Sequence, residues 1–181
     1  FEAKLLINAS GAWVDEIAKI AGIKPLNFTP YKRSIARIKI SDPDRVKSWP
    51  MVAGVNEEFY AKPDAGQLIV SPADETATSP HDAWPTEEDL ATGIDFLSQI
   101  AEISVDRMTS SWAGLRTFSP DKALVIGHDK INPEFFWFAG QGGYGFQTSA
   151  AASELASELI LGISPSIGRD VSNSLSPGRF Y

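Results

Sequence analysis

The sequence predicts a mixed fold, in which an α/β part formed by both ends of the chain flanks an α+β part with an antiparallel sheet. Strand–turn–helix patterns at the two ends predict the α/β part, because an apolar run followed by small residues and helical spacing is typical of a parallel sheet covered by helices. Short strands joined by tight turns, between residues 25 and 80, predict the antiparallel sheet.

The chain opens with a predicted strand and helix. Residues 4–8 form a short apolar run, and Ala9-Ser10-Gly11 follow as turn residues at the start of the helix. Gly22 lies where a glycine cap ends a helix. The apolar face of this helix is expected to consist of Trp13, Ile17 and Ile20 or Ala21. Pro25 and Pro30 are expected to interrupt regular structure after it.

The middle of the chain predicts the strands of an antiparallel sheet. Apolar and charged side chains alternate over residues 36–40, as they do in a half-buried strand, and residues 51–55 predict another strand. Residues 58–62 and 67–71 predict a hairpin around a turn at residues 63–66.

A helix is predicted after this sheet. Thr86 precedes three acidic residues, which is the pattern of an N-cap followed by a first turn that favours negative charge. The apolar stripe of this helix consists of Leu90, Ile94, Leu97 and Ala101.

The last third of the chain predicts two buried strands and a long helix. The strands cover residues 123–127 and 135–139, and a glycine-rich loop at residues 140–145 follows the second of them. The helix covers residues 147–161 and ends at Gly162. The tail beyond it is rich in Ser, Pro and Gly and is predicted to be irregular.

Charge and composition exclude several functions. The 181 residues carry a net charge of −7, and this sign repels nucleic acid and anionic membranes. The absence of Cys excludes disulfides and thiolate chemistry. No apolar stretch reaches the ~20 residues that span a bilayer, so we expect no transmembrane segment and a cytoplasmic location, with peripheral membrane association left open. The chain opens without Met inside a strand-like run, so we expect it to be part of a longer protein.

The glycine-rich loop at residues 140–145 is the strongest local signal. Its glycines match the G-x-G-x-x-G pattern between a strand and a helix, but a dinucleotide-binding unit needs a second parallel strand after that helix, and none is predicted beyond Gly162. Glycines still let a ligand approach the backbone closely, and the helix N-terminus favours an electron-rich group. The alternative is a tight turn without a ligand.

A few polar residues could serve a small-molecule site. Arg116 lies among glycine and apolar residues, where it could clamp a carboxylate or form a surface ion pair. Arg33 and Tyr60 could face a pocket on the sheet or lie on the surface. His81 and His128 have no partners at metal-ligand spacing, so both are assigned to loops and no metal site is predicted.

Three passages together resemble one family, the FAD-dependent amino-acid oxidoreductases of the D-amino-acid oxidase type. Residues 6–13 resemble the strand and turn that return to the FAD domain, residues 112–121 its arginine motif, and residues 138–149 its loop under the flavin. Residues 31–34 and 58–66, together with the flavin loop, are similar to the bacterial D-arginine dehydrogenase branch of this family.

This resemblance implies a remnant of a Rossmann-like FAD-binding domain with an inserted antiparallel-sheet substrate domain. Residues 1–22 and 113–181 would belong to the FAD domain and residues 23–112 to the substrate domain. FAD is implied as a non-covalent cofactor. Because the family's pyrophosphate-binding motif would lie upstream of Phe1, FAD binding by this chain alone is left open, and self-association through exposed sheet surface is expected.

The resemblance also implies the residues of the site. Those that bind the substrate would be Arg33, Tyr60, Arg116, Gly143 and Tyr144. Those that line the cofactor would be Ala9, Gly11, Trp13, Gly114, Gly142, Gly143, Tyr144, Gly145, Phe146, Gln147 and Thr148. No residue is implied as a general base.

The implied reaction is hydride transfer from Cα of a D-amino acid to flavin N5. The product is an imino acid, which hydrolyses to a 2-oxo acid and ammonia, and this chain alone is expected to be inactive. Three alternatives remain: a glycine or sarcosine type of oxidase that uses oxygen, an inert binding module, and a sugar- or nucleotide-binding domain with a coincidental glycine loop.

Overall fold

The computed structural model describes residues 2–181, which form two compact units. Unit 1 comprises the chain up to Pro30, Thr78–Pro80 and Arg116–Tyr181, and unit 2 comprises Tyr31–Ala77 and His81–Leu115. The domain prediction, 1–22 with 113–181 and 23–112, stays a prediction. Its first boundary lies eight residues before the one between Pro30 and Tyr31, and its second lies three residues before the one between Leu115 and Arg116.

The secondary structure alternates between the two units. The strands are β1 (Leu6–Asn8), β2 (Thr29–Ile40), β3 (Val52–Ala53), β4 (Tyr60–Asp64), β5 (Gln67–Ser71), β6 (Thr76–Ala77), β7 (Val105–Phe118), β8 (Val125–His128) and β9 (Phe135–Ala139). The helices are α1 (Val14–Ile20), α2 (Pro43–Val46), α3 (Glu87–Ile100), α4 (Gly145–Leu161) and α5 (Arg169–Leu175), with short 3₁₀ turns at Gly11–Trp13 and Pro177–Phe180. Within residues 2–181, no helix combines the length and the apolar character needed to cross a membrane.

Unit 1 is a three-stranded sheet between helices. The strand order is β1–β9–β8, with β1 parallel and β8 antiparallel to β9. Alternate residues of β9 point to opposite faces, so Trp137 joins the cluster that contains Val14 and Ala18 of α1, whereas Phe136 joins the one that contains Leu155 of α4. The α/β prediction for the chain ends is therefore confirmed.

The predicted face of α1 was wrong by one position. Val14 and Ala18 are fully buried, whereas Trp13 is 40% and Ile20 82% exposed. The larger apolar side chains suggested the buried face, but the smaller pair packs against the sheet. Gly22 follows the helix with φ +71°, as predicted for a glycine cap.

The edge of the unit 1 sheet at β1 carries apolar side chains that are accessible. Leu6 is 43% and Ile7 51% exposed, although both belong to a strand paired with buried β9. The expectation of self-association through sheet surface stays a prediction.

Unit 2 is an antiparallel sheet covered on one face by α3. The strand order is β3–β4–β5–β2–β6, and β7 also pairs with β2. The predicted hairpin is confirmed as β4 and β5 around Ala65-Gly66, whose φ angles of +47° and +77° are those of a two-residue hairpin turn. The core of this unit consists mainly of Ala36, Ile38, Ile40, Leu68, Val70, Leu90 and Leu97.

The helix predicted after the sheet is α3. The Thr86 hydroxyl accepts a hydrogen bond from the Asp89 N–H at 3.1 Å, and the Asp89 carboxylate accepts one from the Thr86 N–H at 3.2 Å. This reciprocal capping box fixes the helix start at the predicted residue.

Several predicted element bounds were wrong. Strand β2 passes through Pro30, which a strand tolerates because it lies at the second position, and β3 shrinks to Val52–Ala53. Strand β7 was not predicted. His128 ends β8 instead of lying in a loop, and the tail contains α5 and a 3₁₀ turn.

Candidate functional site

The glycine-rich loop joins β9 to α4 and is fastened to the end of β7. Gly140 and Gly142 have φ angles of +77° and +52°, which only glycine adopts without strain. The Gly142 N–H donates to the Thr117 carbonyl at 3.0 Å, and the Tyr144 N–H donates to the Gln141 carbonyl at 2.9 Å. The loop is therefore held by its backbone.

The start of α4 has no side-chain cap. Tyr144 is the N-cap residue, but its side chain accepts no hydrogen bond, and the first intrahelical bond runs from the Thr148 N–H to the Tyr144 carbonyl at 2.9 Å. The N–H groups of Gly145, Phe146 and Gln147 thus lack intrahelical acceptors. Helix α4 begins two residues earlier than predicted, so the helix start includes Gly145.

The guanidinium of Arg116 packs against this loop. A Cβ atom on Gly143 would lie 3.0 Å from its Nη1 atom, so the close approach requires glycine. Arg116 is half-buried, and no carboxylate within residues 2–181 lies within ion-pairing distance of it. The structure thus brings together Arg116 and Gly143, two of the predicted substrate residues, in unit 1.

The buried carboxylates of unit 1 serve its structure. Asp129 accepts hydrogen bonds from the Trp137 indole N–H at 3.1 Å and from the Tyr181 hydroxyl at 2.5 Å. Asp15 accepts the N–H groups of Leu26 and Phe28, and burial raises its pKa.

Asp121 has a structural partner as well. It forms a bidentate ion pair with Arg179, at 2.6 and 3.0 Å, whose hydrogen bonds hold the pKa of the carboxyl well below its usual range. Each of these acids therefore has a structural partner other than Arg116.

The turn after β1 lies at the same edge of the sheet as the glycine-rich loop. Asn8 pairs with Trp137, and β1 and β9 are parallel, so the carboxyl ends of both strands meet at that edge. This is where ligands bind in open α/β sheets. Ala9, Gly11 and Trp13 belong to this turn, where Gly11 has a φ of +59° and Trp13 is exposed, and their contact with the cofactor stays a prediction.

Two polar residues near these loops were missed. The Asn8 side chain donates to the Val14 carbonyl at 2.8 Å and accepts from the Ser10 hydroxyl at 2.6 Å, which holds the β1–α1 turn together. The Thr117 hydroxyl is buried and has no hydrogen-bond partner within the part of the chain that the structure describes. The only sequence signal for Thr117 was its place beside Arg116.

Unit 2 places Arg33 and Tyr60 on one face of its sheet. Arg37 pairs with Ile69, and Ile69 pairs with Lys62, so these three side chains share a face. Strand alternation adds Arg33, Tyr60 and other residues an even number of positions away. The opposite face carries the apolar core. Arg33 and Tyr60, the residues of unit 2 that were predicted to face a pocket, therefore lie on the polar face of the sheet.

Arg33 has an acidic partner that the sequence did not indicate. Its Nη2 atom lies 3.2 Å from Oε1 of Glu75, and its side chain is 10% exposed. Gly114 belongs to the exposed part of β7, where an added Cβ would meet no atom within 4 Å, so no protein contact explains a glycine there.

The class of protein that the comparisons show is an FAD-dependent oxidoreductase. The family model of FAD dependent oxidoreductases, DAO, matches residues 1–159. The chain belongs to this family, and the family and the cofactor expected from the sequence, FAD, are confirmed.

Known relatives agree with this assignment. FAD-dependent oxidoreductase domain-containing protein 1 from Bos taurus is 23% identical over 204 residues, which cover 99% of this chain and 40% of that protein. The crystal structure of L-proline dehydrogenase from P. horikoshii has a TM-score of 0.75 and 25% identity, and the match covers 97% of this chain and 46% of that one. The crystal structure of glycine oxidase from Geobacillus kaustophilus shares the fold, with a TM-score of 0.75, 20% identity and coverage of 92% and 44%. The chain thus spans less than half the length of these relatives.

Proposed function

We propose that the protein containing this chain oxidises an amino acid by hydride transfer from its Cα atom to the flavin of FAD. The observation that carries this proposal is the half-buried Arg116, which has no acidic partner within residues 2–181 and contacts Gly143 beside the open start of α4. An unpaired guanidinium of this kind favours a ligand that brings a carboxylate.

The loop and the helix start fit FAD. The residues proposed to line it are Ala9, Gly11, Trp13, Gly114, Gly142, Gly143, Tyr144, Gly145, Phe146, Gln147 and Thr148. The N–H groups in the first turn of α4 and the positive end of its dipole favour a ring that gains negative charge. FAD, when bound, supplies the acceptor for the hydride.

Arg116 is proposed to orient the substrate through its carboxylate. Two parallel N–H donors fix both the position and the plane of a carboxylate, and a carbon that must transfer a hydride depends on such positioning. In unit 2, Arg33 and Tyr60 share the polar face of the sheet, and the family likeness is the ground for proposing that Arg33 binds the substrate carboxylate and that Tyr60 contacts the substrate. Gly143 and Tyr144 complete the proposed substrate contacts.

No carboxylate of unit 1 is proposed as a general base. Asp15, Asp121 and Asp129 each accept hydrogen bonds from structural partners, so none of them is proposed to take the proton of the substrate amine. A D-amino acid is proposed as the substrate because of the likeness to the D-arginine dehydrogenase branch. The 2-oxo acid and ammonia would form by hydrolysis of the imino product.

Anaerobic reduction of the flavin tests this function. The full-length flavoprotein is mixed with glycine and with paired D- and L-amino acids, and bleaching of the flavin absorbance is followed by stopped flow. We expect reduction by D-amino acids, and reoxidation by oxygen or by a quinone then identifies the acceptor. Reduction by no amino acid would refute the function, and reduction by L-enantiomers alone would refute the stereochemistry.

Variants of Arg116 test the residue that carries the proposal. Arg116→Ala is expected to raise KM by about 100-fold, because charge-assisted hydrogen bonds contribute about 1.5–3 kcal/mol each. Arg116→Lys is expected to raise KM by a smaller factor. Arg169→Ala, at an exposed position of α5, is the matched control. An unchanged KM in Arg116→Ala would refute the role of this arginine.

A further inference from the structure

The segment after β5 is hydrogen-bonded to strand β2 through the side chain of Asp74. The Asp74 carboxylate accepts the Ser34 N–H at 2.6 Å and the Ser34 hydroxyl at 2.9 Å. The preceding Ala73 has a φ of +52° and donates its N–H to the Ser71 hydroxyl at 3.1 Å. This segment is therefore fixed beside β2, and the residue after Asp74 is held next to Arg33.

That next residue, Glu75, contacts the guanidinium of Arg33. One oxygen of Glu75 lies 3.2 Å from one nitrogen of Arg33, so the contact is not the bidentate arrangement that makes such pairs strong. The side chain of Arg33 is 10% exposed, whereas that of Glu75 is 47% exposed. A buried cation thus faces an acid whose other side meets solvent.

The charges around this pair favour a ligand that is not simply anionic. Lys32 and Ser34, at the neighbouring positions of β2, are held by Asp89 and Asp74, whereas the guanidinium of Arg33 meets Glu75. A ligand that brings only a negative charge to Arg33 would meet repulsion from Glu75.

We propose that Glu75 is a specificity residue that restricts binding at Arg33 to carboxylates carrying a cationic nitrogen, as α-amino acids do, and disfavours plain carboxylates. This inference rests on the proposed function, in which Arg33 binds the substrate carboxylate. Glu75 then balances the charge of the substrate nitrogen while Arg33 holds the acid group. Both charges of a zwitterion are met by one pair of side chains.

The test compares each amino acid with its des-amino carboxylate in the full-length flavoprotein. The probes are D-alanine with propanoate and D-proline with cyclopentanecarboxylate, since neither carboxylate carries a charged nitrogen. KM is measured for the amino acid, and the inhibition constant for the carboxylate, in the pair whose amino acid reduces the flavin fastest. The ratio of the two constants reports the discrimination for a charged nitrogen.

Glu75→Gln is expected to lower the inhibition constant of the des-amino carboxylate by about tenfold, because the repulsion from Glu75 is removed. It is expected to raise the KM of the amino acid, because the attraction to the charged nitrogen is removed as well. Glu75→Asp is expected to retain most of the discrimination, and Glu57→Gln, which removes an exposed charge of the same unit, is the matched control. Glu75→Ala provides a second measurement should the glutamine variant fold poorly.

The outcomes separate this inference from the proposed function. A merely structural role of Glu75 would change the binding of both ligands alike, so an unchanged ratio in Glu75→Gln and Glu75→Ala overturns the specificity role while the function stands. Failure of every amino acid to reduce the flavin of the wild-type protein overturns both.

Discussion

Gly143 allows the sharpest test of how closely the loop and Arg116 are matched. In Gly143→Ala, the new Cβ would lie 3.0 Å from Nη1, 3.2 Å from Cζ and 3.5 Å from Nε of Arg116. Because carbon contacts are favourable near ~3.5 Å, the guanidinium must retreat by about 0.5 Å. Gly143 does not have a positive φ, so alanine adopts its conformation without strain. The damage is therefore expected in substrate binding and not in folding.

The expected size of the effect follows from that displacement. A misplacement of about 1 Å costs up to ~100-fold, so a shift of about half that size is expected to lower kcat/KM by about tenfold. Steady-state kinetics on the flavin-loaded Gly143→Ala variant measures this loss, and urea unfolding is expected to show no loss of stability, since alanine restricts the unfolded chain. A folded variant with kcat/KM within twofold of the wild type would refute the contact between Gly143 and a substrate-binding Arg116.

Two further predictions concern stability. Gly142→Ala is expected to lower the free energy of unfolding by about 2–4 kcal/mol, because its Cβ would lie 2.3 Å from the Phe118 ring at a φ of +52°. Gly162→Ala, at a φ of +70° with no atom within 4 Å of the new Cβ, is expected to lower the free energy of unfolding by only about 1 kcal/mol. Equal losses in the two variants, measured by urea unfolding, would contradict the clash between Gly142→Ala and Phe118. The lowered pKa of Asp121 means that its pairing with Arg179 stabilises the fold above the unfolded-state pKa and is lost as the pH falls below it. Asp121→Asn should therefore flatten the acid limb of unfolding free energy against pH by about 1 kcal/mol, since the side chain is 43% exposed, and an unchanged limb would argue against this pairing.

Local patterns predicted the elements that have one clearly buried face. The hairpin of β4 and β5, the cap of α3 at Thr86 and the strand β9 were all readable, because turn chemistry and apolar spacing are encoded within a few residues. Strand β7 was not, because most of its side chains are polar or exposed and pairing with β2 supplies its order. The buried face of α1 depended on which side chains fit the sheet, and size alone pointed to the wrong ones.

The candidate site shows the same limit. Arg116 and the glycine-rich loop were identified from adjacent residues and a family likeness, and their contact through Gly143 lies within unit 1. Glu75 gave no local signal, since its contact with Arg33 joins residues 42 positions apart. Asn8 and Thr117 were missed because an ordinary polar side chain acquires meaning only from what surrounds it in the fold.

The two faces of the unit 2 sheet would separate folding from the substrate binding proposed for Arg33 and Tyr60. Its apolar face packs against α3, and its other face carries Arg33 and Tyr60. Alternate positions of the same strands are therefore constrained by core packing on one face and by the proposed substrate binding on the other. A lineage could exchange side chains on the second surface while leaving the first intact. The shared fold of a proline dehydrogenase and a glycine oxidase is what such a division of labour permits during enzyme divergence.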